Sequence, residues 1–172
     1  MVTSSGRWIR WVLGLVLLLA AFAGGWLTGV IGVGRTVPLA SLSDRERQFA
    51  ERMRGATLDG RFTIAGRESD PDRTDRYEIA SVEKVGDDEW RFNARIQYGT
   101  IDATVPVVVR MVWADDTPVI TMTDVSIPTL GTFTSRVFFY GDRYAGTWQH
   151  GAVGGHMFGR IIPAGPPAAG AR

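Results

Sequence analysis

The clearest pattern in the chain is a strict alternation of apolar and polar residues between positions 90 and 98. The apolar positions are Trp90, Phe92, Ala94, Ile96 and Tyr98, and arginine, asparagine and glutamine stand between them. Successive side chains of a strand point to opposite faces, so this pattern predicts a strand with one buried and one solvated face. Further segments with β-type patterns are 60–66, 76–85, 101–114, 118–125, 132–140, 143–150 and 155–162.

Short turn segments such as Gly86-Asp87-Asp88 and Gly141-Asp142 separate these strands. Short connections make neighbouring strands antiparallel, and no segment after Gly55 has the period of a crossover helix. We therefore predict an all-β domain over residues 58–162, an eight-stranded antiparallel meander that closes as an up-and-down barrel. A sandwich is the alternative. The alternation slips at Ala80-Ser81, which predicts a bulge, and Pro106 predicts a bulge, bend or edge.

A helix is predicted in the linker that precedes the β-domain, residues 36–57. Ser43 and Glu46 fit a capping box, and Gly55 provides a stop after a helix of about 11 residues. Phe49 and Met53 form only a narrow apolar stripe, so this short amphipathic helix is expected against the surface of the domain or of a membrane. The Pro/Ala/Gly-rich tail, residues 163–172, is predicted to be disordered.

The N-terminal segment, residues 1–35, contains an uncharged run over 11–34. As a helix these 24 residues would extend about 36 Å, enough to cross a hydrocarbon core of about 30 Å. Arg7 and Arg10 before the run give the chain a signal-like start and predict a single-pass signal-anchor in the cell membrane, with the β-domain extracytoplasmic. A count of basic residues gives the opposite orientation, because five arginines follow the run: Arg35, Arg45, Arg47, Arg52 and Arg54. The alternative is a signal peptide that is cleaved after Ala23, which would give a secreted form.

The predicted membrane helix has a second pattern. Ala21, Gly25 and Gly29 recur every four residues, and such a stripe of small residues allows two membrane helices to self-associate. The lipid bilayer is thus the partner indicated for residues 11–34, and nothing in the sequence identifies a protein partner.

Composition excludes several classes of function. The 172 residues include no cysteine, which removes disulfides, thiolate nucleophiles and Cys-ligated metals. The formal net charge is only +1 with both signs interspersed, so nucleic-acid binding is not expected. The sequence contains no nucleotide-binding or hydrolase motif. We therefore expect no catalytic residues, no metal and no cofactor, and the acidic segment 66–75, with Asp70, Asp72 and Asp75, is predicted to be a solvated loop.

The two histidines flank the glycine-rich segment 151–155. In a five-residue loop His150 and His156 would face each other, whereas in a four-residue loop His156 would point to the other face. Two imidazoles supply only half of a tetrahedral metal shell. We predict a structural role, in which both imidazoles bond to loop backbone at the mouth of the barrel.

An aromatic face is predicted on the strand 143–150, where Tyr144, Gly146, Trp148 and His150 alternate. Because the inward positions are rich in aromatic residues, we expect a filled barrel interior. The alternative is a cup for an apolar ligand. The weak candidates for ligand-binding residues are Trp90, Phe92, Tyr98, Tyr144, Trp148, His150 and His156.

The C-terminal hairpin carries the sequence Gly146-Thr147-Trp148-Gln149-His150-Gly151, followed by Gly154-Gly155-His156. With segments 117–120 and 127–133, it resembles a family of uncharacterised bacterial envelope proteins that share the motif G-T-W-x-H-G and then G-G-H. The resemblance covers about residues 58–162 and implies an envelope location without an assigned activity. A looser similarity to lipocalin-like small barrels concerns the strand pattern and Gly146-x-Trp148.

The sequence thus predicts a membrane-anchored envelope protein, not an enzyme, whose β-domain serves as an interaction or structural module. The alternative function is lipocalin-like binding of a small apolar ligand inside the barrel.

Overall fold

The strands of this protein pair in sequence order and close on themselves. The computed structural model describes residues 16, 36–67 and 73–165. Each strand pairs antiparallel with the next and the last pairs with the first, which confirms the predicted meander barrel and excludes the sandwich. After a 3₁₀ turn at Leu39–Ser41 come helix α1, Asp44–Met53, and strands β1 Thr57–Phe62, β2 Arg73–Lys84, β3 Glu89–Tyr98, β4 Ile101–Ala114, β5 Thr117–Ile127, β6 Gly131–Tyr140, β7 Arg143–His150 and β8 Val153–Ile162.

The irregularities of the barrel lie mainly in β2 and β5. The predicted bulge in β2 is confirmed, since the register against β3 shifts between Ile79 and Ser81. A second shift, between Met122 and Val125, was not predicted. Pro106 causes no bulge and lies opposite Asn93 in regular pairing. β4 pairs with β5 only from Arg110 onward, so Pro106 lies where β4 has a partner on one side, as in an edge strand.

The first strand starts earlier than predicted. β1 covers Thr57–Phe62 instead of 60–66, because its register is set by simultaneous pairing with β2 and β8. The chain beyond Phe62 continues to follow β8, since the backbone N–H groups of Thr63 and Ala65 donate to the carbonyls of His156 and Gly154.

Helix α1 closes one end of the barrel. Its capping box is confirmed, with the Ser43 backbone N–H donating to Glu46 Oε2 at 3.0 Å, and Gly55 ends it at a φ of 71°. Phe49, Ala50 and Met53 are buried in the barrel core. The helix therefore does more than lie on a surface. Its narrow apolar stripe inserts between the strand ends, where the Phe49 ring makes edge contacts with Trp90, Phe92, Trp113 and Phe139.

The predicted membrane segment 11–34 lies outside the described residues except for Val16, and so do Ala21, Gly25 and Gly29. In the part of the chain that the structure describes, no helix has the length and apolar character needed to cross a membrane. Residues 166–172 of the predicted tail are likewise outside it.

Candidate ligand-binding cavity

The barrel interior contains a partly open cavity of about 220 Å³. The prediction of a filled interior is therefore wrong. Small residues of the lining, Ala94 and Ser135, stand between the aromatic ones and leave space that the larger side chains do not fill. The lining is overwhelmingly apolar: Leu58, Phe62, Asp75, Tyr77, Ile79, Phe92, Ala94, Ile96, Tyr98, Val107, Val109, Ile120, Met122, Ile127, Leu130, Phe133, Ser135, Val137, Phe139, Tyr144, Trp148 and Met157.

One side chain crosses two strands along the cavity wall. Tyr144 on β7 lies opposite Gly159, Gly159 lies opposite Gly60, and Gly60 lies opposite Asp75. The Tyr144 hydroxyl reaches over both glycines and donates to Asp75 Oδ1 at 3.2 Å. A Cβ atom on Gly60 would lie 2.1 Å from that hydroxyl oxygen, and one on Gly159 would lie 2.7 Å from a Tyr144 ring carbon. The tyrosine therefore requires glycine at both positions.

Asp75 is the centre of a small polar cluster in this wall. Its other oxygen, Oδ2, accepts a hydrogen bond of 3.1 Å from the Tyr77 hydroxyl. The residue is only 3% exposed. Burial raises the pKa of Asp75 against the opposing effect of the two tyrosine hydrogen bonds, and the charge of Asp59 adds to the increase. Burial and the neighbouring carboxylate also raise the pKa of Tyr77 and of Tyr144.

No lysine, arginine or histidine stands among the described residues that line the cavity. The Asp75 carboxylate therefore has tyrosine donors but no basic partner in the wall. A carboxylate in apolar surroundings is stabilised by each donor that it gains and most strongly by a cation. The cluster can accept further hydrogen bonds from a molecule in the cavity.

A second polar group of the cavity wall is the indole N–H of Trp148. The indole nitrogen Nε1 of Trp148 is buried and, among the described residues, has no hydrogen-bond acceptor. The Trp148 ring contacts the edge of Phe62 at a centroid distance of 5.6 Å. Buried N–H groups in folded proteins are almost always paired, so we expect this one to have an acceptor outside the described residues.

The structure places the aromatic candidates of the sequence in two groups. Phe92, Tyr98, Tyr144 and Trp148 line the cavity. Trp90 does not, because it packs under helix α1 against Phe49. Its indole also lies near Lys84, whose Nζ is 5.9 Å from the ring centroid.

The two histidines do not face each other. β7 and β8 are joined by a two-residue turn at 151–152, with His150 opposite Val153 and His156 opposite Thr147. Both predicted loop lengths are therefore wrong. Gly151 adopts a φ of 59°, which permits this tight turn. The register puts the two imidazoles on opposite faces of the sheet, so they cannot share a metal ion.

Neither histidine lines the cavity. The His150 ring packs on Phe133 at a centroid distance of 4.5 Å and lies over Gly131 at the rim of the barrel. His156 is bound through its backbone, whose N–H donates to Thr63 Oγ1 at 3.1 Å. That the two imidazoles bond to loop backbone at the mouth of the barrel stays a prediction.

Asp75 is the cavity residue that the sequence analysis missed. Its acidic neighbours predict a solvated loop, whereas β2 begins at Arg73 and carries Asp75 into the barrel. The available signal was the phase of the alternation, since Asp75, Tyr77 and Ile79 lie on the same face as one another. Extending the strand by one more alternation would have placed the carboxylate inside.

Comparison of the chain with protein family models, with curated proteins and with solved structures finds no match. Function is therefore inferred from the geometry of the cavity.

Proposed function

We propose that the barrel binds a small, largely apolar molecule in its cavity. The observation that carries this proposal is the cavity itself, an apolar space with polar groups at only a few positions. Binding sites for small molecules have this composition, in which apolar walls provide affinity and a few polar groups fix orientation. The volume of about 220 Å³ exceeds the roughly 150 Å³ of an apolar protein cavity that accepts benzene.

The indole Nε1 of Trp148, which has no partner among the described residues, supports the same proposal. An unsatisfied buried donor costs about 1–3 kcal/mol, and a ligand oxygen that accepts from it would remove this cost. Such an oxygen would also fix the ligand at the end of the cavity where Trp148 meets Phe62.

The proposal is tested with N-phenyl-1-naphthylamine, an uncharged fluorophore that brightens in apolar surroundings. The full chain is purified in amphipol, because a detergent tail would itself enter an apolar cavity. We expect saturable binding of one fluorophore per chain. In Ala94→Phe the added ring would occupy the cavity, since Ala94 is part of its lining.

The matched control is Ala145→Phe on the outer face of β7, where Ala145 lies opposite Phe138 and Phe158. It should bind the fluorophore as the wild type does. Equal fluorescence in both variants would mean that the dye partitions elsewhere, and the proposal would be abandoned. Met122→Trp fills the same cavity from β5 and replaces Ala94→Phe if circular dichroism shows that the latter is unfolded.

We further propose that the barrel is held at a cell membrane by residues 11–34 and faces the extracytoplasmic side, as an envelope protein. The support for this is the uncharged run of 24 residues behind Arg7 and Arg10. A membrane-held binding domain is compatible with the ligand proposal. Fractionation tests the anchor, because a soluble product shortened by about 23 residues would indicate cleavage instead. Protease digestion of the domain in intact spheroplasts tests its side.

A further inference from the structure

We propose that the ligand carries a protonated amine, which binds the oxygen cluster formed by Asp75, Tyr77 and Tyr144. The proposal rests on the proposed function and names the chemical class of its ligand. Its basis is the direction of the hydrogen bonds in the cluster. Both tyrosine hydroxyls donate to the carboxylate, at 3.1 and 3.2 Å, so their hydrogens are committed.

The cluster therefore presents only hydrogen-bond acceptors to the cavity. The carboxylate accepts from the two tyrosines and from its own backbone N–H, which leaves a lone pair free on its oxygens, and both phenolic oxygens keep theirs. An ammonium group has three donors and no acceptor, which is the complement of this arrangement. A ligand carboxylate has only acceptors and would be repelled, and a hydroxyl can donate only one hydrogen bond.

The charge of the surroundings favours a cation as well. The titratable groups that face Asp75 inside the barrel are Tyr77 on its own strand, Tyr144 from β7 and Tyr98 opposite it on β3, and the nearest outward charge that acts on it is the exposed Asp59 of β1. All of them are neutral or negative. The described lining contains no positive side chain, so a cation in the cavity would provide the one counterion that the carboxylate lacks.

The cluster also requires glycine at two strand positions, which an ordinary cavity wall would not need. Tyr144 can reach Asp75 only because two glycines, Gly60 and Gly159, leave its ring room across β8 and β1. Glycine inside a strand is destabilising relative to residues that pack. The strands β1 and β8 thus lack packing side chains at two positions, and this allows a second hydroxyl to reach the buried carboxylate.

Three eight-carbon competitors test the proposal at pH 7: octylamine, octanol and octanoate. For each competitor, the concentration that displaces N-phenyl-1-naphthylamine from the full chain in amphipol is measured. We expect octylamine to bind at least about tenfold more tightly than octanol, as for a charge-assisted hydrogen bond, and octanoate most weakly. In Asp75→Asn, octylamine should lose this advantage while octanol keeps its affinity.

Asp59→Asn is the matched control, since Asp59 is exposed on the neighbouring strand, and it should keep the preference for octylamine. If Asp75→Asn does not fold, the wild type is measured at decreasing pH. The advantage of octylamine over octanol should then disappear as Asp75 becomes protonated, below its raised pKa.

The outcomes separate the two proposals. Failure of the fluorophore to bind at all would refute the proposed function. Binding of the fluorophore, with octanol or octanoate competing as well as octylamine, would overturn only the amine. Retention of the full octylamine preference in Asp75→Asn would likewise overturn the amine and leave the proposed function standing.

Discussion

The two ends of the barrel are built from the same alternating strands but are finished differently. At one end helix α1 inserts Phe49 and Met53, which are 5% and 0% exposed, among four aromatic rings. At the other end Phe62 and Trp148 border a cavity, and an indole N–H has no partner among the described residues. The side chains of α1 close the cavity at the first end, where Phe92 and Phe139 contact both Phe49 and the cavity, and the open space extends from there toward the second end. Stability and ligand binding are therefore expected to respond to mutation at different ends.

The largest effect is predicted for Phe49→Ala at the closed end. Truncation of a buried phenylalanine costs about 3–5 kcal/mol, and here it also removes four edge-to-face ring contacts. Urea unfolding followed by tryptophan fluorescence measures the loss. Gln48→Ala, exposed on the same helix, should stay within about 0.5 kcal/mol of the wild type. A loss below about 1 kcal/mol for Phe49→Ala would mean that α1 is not part of the cooperative core.

The next largest effect is predicted for Gly60→Ala in the cavity wall. The new methyl group would lie 2.1 Å from the Tyr144 hydroxyl oxygen and 2.5 Å from the Phe158 carbonyl oxygen, so we expect a loss of about 1–3 kcal/mol. In a Tyr144→Phe background the loss should shrink but not vanish, because the carbonyl remains. Additive losses in the double-mutant cycle would show that the tyrosine does not lie across Gly60.

Stability measured across a range of pH distinguishes the two ends of the barrel further. Because burial raises the pKa of Asp75, its contribution to stability is complete below its ordinary pKa of about 3.9 and is lost as pH rises through the raised folded-state value. Asp75→Asn should therefore gain stability relative to the wild type as pH rises. Unfolding midpoints across this range measure the gain, and a relative loss with rising pH would contradict the sign.

Glu46 at the closed end is the counterpart with the opposite sign. Burial acts to raise its pKa, but hydrogen bonds from Lys84 and Ser43 outweigh burial and lower it. Its contribution is present above the ordinary pKa of about 4.3 and is lost as pH falls through the lowered value. Glu46→Gln should thus lose stability relative to the wild type as pH rises, and parallel curves for Glu46→Gln and Asp75→Asn would refute the contrast.

The smallest effect is predicted for Trp148→Phe at the open end. The change removes an N–H that has no partner among the described residues, which is favourable, and shortens a ring beside an existing cavity, which is unfavourable. We expect the free energy of unfolding to stay within about 1 kcal/mol of the wild type in a urea titration. A loss like that of Phe49→Ala would show that the open end is packed as tightly as the closed one.

The sequence allowed the barrel to be predicted because strand alternation and short turns depend on local patterns. The β2 bulge and the capping box of α1 are local in the same sense, and both are confirmed. The cavity depends instead on how side chains from different strands meet. The contact between Tyr144 and Asp75 depends on the register of four strands, and a local sequence pattern does not determine that register. The same reason explains why both predicted histidine loops are too long, since a two-residue turn was set by pairing along the whole hairpin.

The most direct test of ligand binding inside the barrel uses the methionine methyl groups, labelled with ¹³C in the full chain. Met122 and Met157 line the cavity, whereas Met53 and Met111 are buried outside its lining. On titration with octylamine, we predict shift changes and intermolecular nuclear Overhauser effects at the methyls of Met122 and Met157, with Met53 and Met111 unchanged. Equal changes at all four methyls, or none at Met122 and Met157, would contradict binding inside the barrel.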